Sequence, residues 1–407
     1  DLVRSRGLGD VYKRQDHDGD GYSEIPKLHG QTIGFRSFLK TTTYSKLTFE
    51  YHHMEEFRRG GDLLNRPPHE ANVAEQTEHS INGGGLKFDY FSPNENHRFN
   101  VFASAQHINR DSYYGPGDRD PLDAYGNTTD LNWMAGSQYV YSFGKCIFMP
   151  SDLTAGIEFN QDKLEDNMWG YNRTVDQKVN IGSAFLQNEW KNDHWGFLIG
   201  GRLDKHNLID HVIFSPRANL RYNPTENINL RFSYSSGFRA PQAFDEDLHV
   251  ENVGGNVAMV ELADNLKEER SQSLSASADI YHRFGAFQVN FLVEGFYTKL
   301  SDVFALTDGE VVDGILTRTR HNASGAQVLG LTLEGKMAYL NKIQVQAGVT
   351  LQQSHYSKPH IWNKEAPAVK KMMRTPNTYG YFTATYPPIK PLSIALSGTY
   401  TLSLIHI

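Results

Sequence analysis

The sequence predicts an all-β protein, a transmembrane antiparallel up-and-down β-barrel with about sixteen strands in this chain. Three observations carry that expectation. Apolar and polar residues alternate with a period of two along one segment after another. Most of these segments run close to the roughly 9–11 residues a tilted strand needs to cross a bilayer. Short connections alternate with long ones through nearly the whole chain, as they do when small turns gather on one side of a membrane and large loops on the other. Composition agrees: aromatic residues make up 12%, with 21 Tyr and 23 Phe beside 35 Gly, a bias that suits extended strands. Hydrophobic residues reach only 39% and no apolar run approaches the roughly 18 residues of a membrane helix. A barrel needs apolar side chains on alternate positions only, so low average hydropathy does not argue against lipid.

Taken in order, strands are expected near residues 31–39, 44–52, 80–91, 97–107, 132–143, 152–162, 178–190, 194–204, 214–222, 228–236, 270–282, 286–298, 328–340, 342–353, 379–386 and 391–401. The clearest pair surrounds the turn at 223–227. Phe214, Ala218, Leu220 and Tyr222 alternate with Ser215, Arg217, Asn219 and Arg221. Ile228, Leu230, Phe232 and Tyr234 then alternate with Asn229, Arg231, Ser233 and Ser235. A dry sandwich core has no use for the arginine-bearing face, whereas a water-filled lumen accommodates it. The same code recurs at Leu329, Leu331 and Leu333 against Thr332, Glu334 and Lys336. Short turns are expected at 92–96, 191–193, 223–227, 341 and 387–390, and long loops at 53–79, 108–131, 163–177, 205–213, 237–269, 299–327 and 354–378.

The net charge of -7 and the lack of a Lys/Arg cluster speak against a nucleic-acid partner. A single cysteine, Cys146, forms no internal disulfide and no thiolate metal site alone. Residues 1–15 carry four basic residues without an apolar stretch behind them, so they are not read as a signal peptide. Residues 1–15 and 402–407 are set aside as a non-native leader and tail, leaving 16–401 as one partial barrel domain.

The segment Ser233-Tyr234-Ser235-Ser236-Gly237-Phe238-Arg239-Ala240-Pro241 ends a strand and opens the longest loop. It resembles the signature of TonB-dependent outer-membrane receptors. Asn265-Leu266-Lys267-Glu268-Glu269 is similar to the family's Asn-Leu-Lys-Pro-Glu segment, with Glu268 where the family usually has Pro. The resemblance extends over 16–401, with a texture like that of Bacteroidetes receptors. It implies a 22-stranded barrel plugged by an N-terminal domain, of which this chain holds about sixteen strands and neither the plug nor the TonB box. It also implies the outer membrane of a Gram-negative bacterium and energised import of a scarce nutrient complex: iron-siderophore, cobalamin or haem. Implied partners are the TonB-ExbB-ExbD complex through the N-terminal part, outer-membrane lipid, a small iron or cobalt chelate, and a surface lipoprotein. Physically, Gly237 and Pro241 also read as a hinge and a ladder stop, and Arg239 as the partner of a lumen carboxylate.

Asp16, Asp18 and Asp20 have the 1, 3, 5 spacing of a calcium loop, with Gly21 at position six but Lys27 where the bidentate acid belongs. With Glu24 they make a candidate Ca²⁺ site of hard oxygen donors, or equally a solvated acidic turn. No cofactor is required. The resemblance makes His249, between the two motifs, a candidate haem ligand, with a plain loop histidine as the other reading; His52 and His53 follow a strand. Arg58 and Arg59 offer cations to an anionic ligand, or form an ordinary solvated face. No nucleophile elbow, zinc helix or phosphate loop is found, which points away from an enzyme. The competing readings are a passive porin or adhesin barrel and, less favoured, a membrane-embedded hydrolase.

Overall fold

Alternation of this kind leaves each strand with one apolar and one polar edge of side chains, and backbone pairing then decides the architecture. The structure is a computed structural model that describes residues 22–116, 124–169, 173–241, 251–253, 256–312, 315–340, 342–360, 367–372 and 375–402. The chain opens with β1 (Tyr22–Thr42), β2 (Ser45–Asp62), β3 (Val73–Phe91), β4 (His97–Pro116), β5 (Tyr125–Cys146), β6 (Met149–Met168) and β7 (Arg173–Lys191). It continues through β8 (Trp195–His206), β9 (Ile213–Thr225), β10 (Ile228–Arg239), β11 (Glu251–Val253), β12 (Asn256–Leu262), β13 (Glu269–Phe284) and β14 (Phe287–Ser301). The last are β15 (Phe304–Val312), β16 (Ile315–Asn322), β17 (Ala326–Tyr339), β18 (Ile343–His360), β19 (Val369–Lys371), β20 (Thr378–Ile389) and β21 (Leu392–Leu402).

Sixteen of these form one antiparallel meander in which each strand pairs with the next: β1 through β10, then β13, β14, β17, β18, β20 and β21. They coincide one for one with the sixteen expected strands. Within the segments expected to be long loops the structure adds a second sheet, β11-β12-β16-β15, whose β12–β16 pair is parallel. It also adds β19, which pairs with β18.

Register decides which side chains share a face. Leu86, Ala103, Ala135 and Phe159 follow one another across β3 to β6, and Leu203 stands opposite Phe214 on β8 and β9. This face carries large apolar residues that are well exposed, among them Ile157 (62%), Ile199 (62%) and Leu396 (63%). Such a band has no stable place in water and matches the hydrocarbon belt of a bilayer. At the short-turn end it finishes in aromatic rings. Phe148 stacks on Trp190 at 5.6 Å, Trp195 on Tyr222 at 4.1 Å, and Phe284 on Phe287 at 5.4 Å. Amphipathic rings at this level form an interfacial girdle. The turns themselves are tight: Gly285 supplies φ +60° between β13 and β14, whereas Ile147 holds φ 63° between β5 and β6, a conformation that a β-branched residue rarely adopts.

The strand lengths correct the sequence expectation of about 8 to 13 residues. β1 through β7 have 18 to 22 residues, or roughly 50 Å along the axis at the usual rise and tilt, about twice the apolar band. Much of what the sequence marks as loop at 53–79, 108–131 and 163–177 is strand continuing beyond the lipid. There the outward face turns polar: Asn82 accepts from Tyr51 Oη at 2.9 Å, and His53 Nδ1 lies 3.0 Å from the same oxygen.

Candidate functional site

The inward face of the meander is polar, and its charges pair both across strands and along them. Asp152 takes Lys191 at 2.8 Å and Arg98 at 3.1 Å through one oxygen, while Ser142 donates to the other at 2.6 Å. Further from the turns, Arg202 bridges Glu158 at 2.6 Å and Asp204 at 2.8 Å, and Ser183 donates to Asp204 at 2.6 Å. Near the tops of β4 to β6, Thr128 accepts from Arg110 at 2.8 Å and donates to the buried Asp166 at 2.6 Å. Each network ties three or more strands at one level, which sets the rotamers of a hydrophilic wall. Small residues make room for inward rings: a Cβ on Gly156 would stand 2.3 Å from the Phe185 ring.

The end of β10 carries the expected motif. Phe238 packs against Ile209, Ile213 and Ala240, and the buried Ala240 and Pro241 follow the last ladder residue. Arg239 stands opposite Glu269, with their side chains 3.8 Å apart, and its guanidinium lies 5.5 Å over the Phe304 ring. Asn265 and Leu266 lie in the turn before β13, where Leu266 N–H donates to Ala263 at 3.1 Å.

Beside this motif lies a junction that sequence reasoning did not single out. Glu268 Oε1 accepts from Arg270 at 2.8 and 2.9 Å and from His211 Nε2 at 3.0 Å, so a carboxylate in the place of Pro fastens the β8–β9 connection to the start of β13. Burial alone would raise its pKa; the hydrogen bonds from Arg270, the backbone and His211 outweigh that and hold it below the usual carboxylate range. Asn322 makes a second fastening. It accepts from Lys267 N–H at 2.7 Å and donates to the carbonyls of Lys267 at 3.0 Å and Asp302 at 2.7 Å. The only sequence signal was the departure at Glu268; nothing in the sequence singled out Asn322.

The other candidates are placed as follows. Arg58 is exposed and pairs with Glu56 at 2.7 Å. Arg59 is almost fully buried (1%) near Tyr113 and Tyr125, and donates to the carbonyls of Gly60 at 2.6 Å and Asp62 at 3.3 Å. His52 lies against Gly83 while His53 bonds Asn82; as successive strand residues they point to opposite faces. Asp16, Asp18, Asp20 and His249 lie outside the described residues, and Glu24 falls within β1. Among the described residues no group of three or more His, Cys, Asp or Glu is arranged to hold a metal ion.

Residues 9–403 match the family model described as "TonB dependent receptor-like, beta-barrel". The chain belongs to the TonB-dependent receptor family. As a family member it is a multi-pass β-barrel protein of the outer membrane of a Gram-negative bacterium. Among solved structures it is similar to the siderophore receptor PirA of Pseudomonas aeruginosa, at 12% identity and a TM-score of 0.69, over 92% of this chain and 63% of that one. It is similar to a substituted form of the ferric enterobactin receptor PfeA of the same species, at 15% identity and a TM-score of 0.73, over 95% and 59%. It is also similar to the alcaligin receptor FauA of Bordetella pertussis, at 12% identity and a TM-score of 0.63, over 93% and 61%. The chain thus spans about three fifths of the length of these TonB-dependent receptors. No curated protein sequence matches it significantly.

Proposed function

We propose that this TonB-dependent receptor barrel serves energised import of a ferric siderophore across the outer membrane, as a transporter and not an enzyme. The family match over 9–403 carries the proposal, and the names of the neighbouring structures, a siderophore receptor, a ferric enterobactin receptor and an alcaligin receptor, narrow the cargo. The polar inward wall supports it physically. Charges paired within the wall, as at Asp152, Arg202 and Asp166, help to give a hydrophilic surface along which a hydrated solute can pass. In this reading the TonB-ExbB-ExbD complex supplies energy through an N-terminal part, and a surface lipoprotein is a further partner. The loops above β10 and β14, held by Glu268 and Asn322, present the chelate-binding surface, with His249 and Arg58 as contact residues. Calcium held by Asp16, Asp18, Asp20 and Glu24 would order the entry to β1.

The test is uptake of radiolabelled cargo by the bacterium that carries the gene, with and without its deletion, using radioiron in several ferric siderophores and in haem and radiocobalt in cobalamin, and repeated with a proton uncoupler. Loss of uptake for one ferric siderophore, abolished equally by the uncoupler, is the expected result. Loss confined to haem or cobalamin would replace the cargo. Uptake indifferent to the uncoupler would mean a passive barrel.

A further inference from the structure

Three connections that join the small sheet to the barrel meet at one point. Residues 263–268 lead from β12 to β13, residues 302–303 from β14 to β15, and residues 323–325 from β16 to β17. Asn322, the last residue of β16, binds across them. It accepts from Lys267 N–H at 2.7 Å and donates to the carbonyls of Lys267 at 3.0 Å and Asp302 at 2.7 Å. Two amide donations and one acceptance are used together, a set that no carboxylate can supply.

Backbone bonds carry the ladders of the sheet down into this neck. Ala263 N–H donates to the Arg320 carbonyl at 3.0 Å and Ala323 N–H to the Val303 carbonyl at 2.7 Å, while the Glu269 carboxylate accepts from Phe304 N–H. The chain bends tightly here: Asp302 holds φ 56°, and a Cβ on Gly325 would stand 2.2 Å from the Leu300 carbonyl oxygen. Above the neck, residues 257–262 of β12 pair in parallel with 315–320 of β16, so the long connection after β10 and the long connection after β14 share one sheet. We propose that these two connections order and unfold as a single cooperative unit, fastened to the barrel by the Asn322 amide. Each half supplies a strand that the other pairs with, so disorder in one spreads to the other and a contact that orders one orders both. The coupling is set by the fold and holds whatever cargo the barrel carries.

The test is hydrogen–deuterium exchange of the full chain in nanodiscs, read at residues 257–262 in the first connection and 304–307 in the second. N322A is expected to speed exchange at both by about tenfold, with the β13–β14 ladder unchanged. N322D, which fills the same space but donates nothing, should do the same. V260P breaks β12 away from the neck and should speed exchange at 304–307, which pair with β16 and not with β12; it reads the coupling even where a neck variant fails to assemble. Faster exchange confined to the second connection in N322A, wild-type exchange in N322D, or an undisturbed 304–307 in V260P would overturn the proposal.

Discussion

Replacing Glu268 with Gln tests the junction between the β8–β9 connection and the start of β13. The change removes the charge that receives two hydrogen bonds from Arg270 and one from His211. The carboxylate is buried, but the Arg270 and His211 side chains are 43% and 55% exposed, so the full value of a buried charge pair does not apply. After discounting for solvent screening, the fastening is worth about 1–2 kcal/mol. A loss of that size, confined to one connection, speeds local opening by about 5–30-fold. Hydrogen–deuterium exchange of residues 207–212 should show it, with the β4–β5 ladder unchanged. The sign with pH follows from the depressed pKa of Glu268. Its contribution is complete above the unfolded carboxylate value of about 4.3 and is lost as pH falls through the lower folded value, so wild-type exchange at 207–212 should approach that of E268Q only in that acidic range. Equal exchange in the two proteins at neutral pH would refute the reasoning.

Three further outcomes are expected. Asn322→Ala removes three hydrogen bonds from the base of the loops and should cost about 1–3 kcal/mol of local stability, seen as faster protease cleavage within 302–322. Gly156→Ala places a Cβ on the Phe185 ring and 2.9 Å from the Ser137 carbonyl; displacing the ring should cost about 1–3 kcal/mol, read as a lower midpoint of denaturant unfolding in detergent. Ile157→Lys puts a charge into the lipid band and should destabilise the barrel in bilayers by about 2–4 kcal/mol, against about 0–1 for Gln161→Lys beyond it, measured by reversible urea unfolding from vesicles.

How far the fold was legible follows from where lipid meets the chain. Between Leu203 and Trp195, or Phe214 and Tyr222, one face must be apolar, so the period of two is plain and the sixteen meander strands could be read. Beyond His53, Asn82 and Gln161 both faces meet water, the alternation fades, and strand looks like loop. The small sheet was illegible for another reason: β12 and β16 pair in parallel between two separate connections, and no local pattern announces such a partner. At the site, Arg239 called for a carboxylate, but only the register identifies Glu269, thirty residues on. Arg59 reads as a surface cation in sequence, and Tyr113 and Tyr125, which help enclose it, arrive from β4 and β5. Glu268 looked like a lost Pro because its partner His211 lies 57 residues away.

The most direct measurement uses nitroxide labels at single cysteines introduced at Ile157 and Glu158, after Cys146→Ser, in the protein reconstituted in bilayers. Adjacent residues on β6 should report opposite surroundings: the label at 157 relaxed by oxygen dissolved in lipid, and the label at 158 by a water-soluble nickel chelate. Equal access of the nickel chelate to both labels, or burial of both away from lipid and water, would contradict a barrel with its apolar face in lipid and its polar face on a lumen.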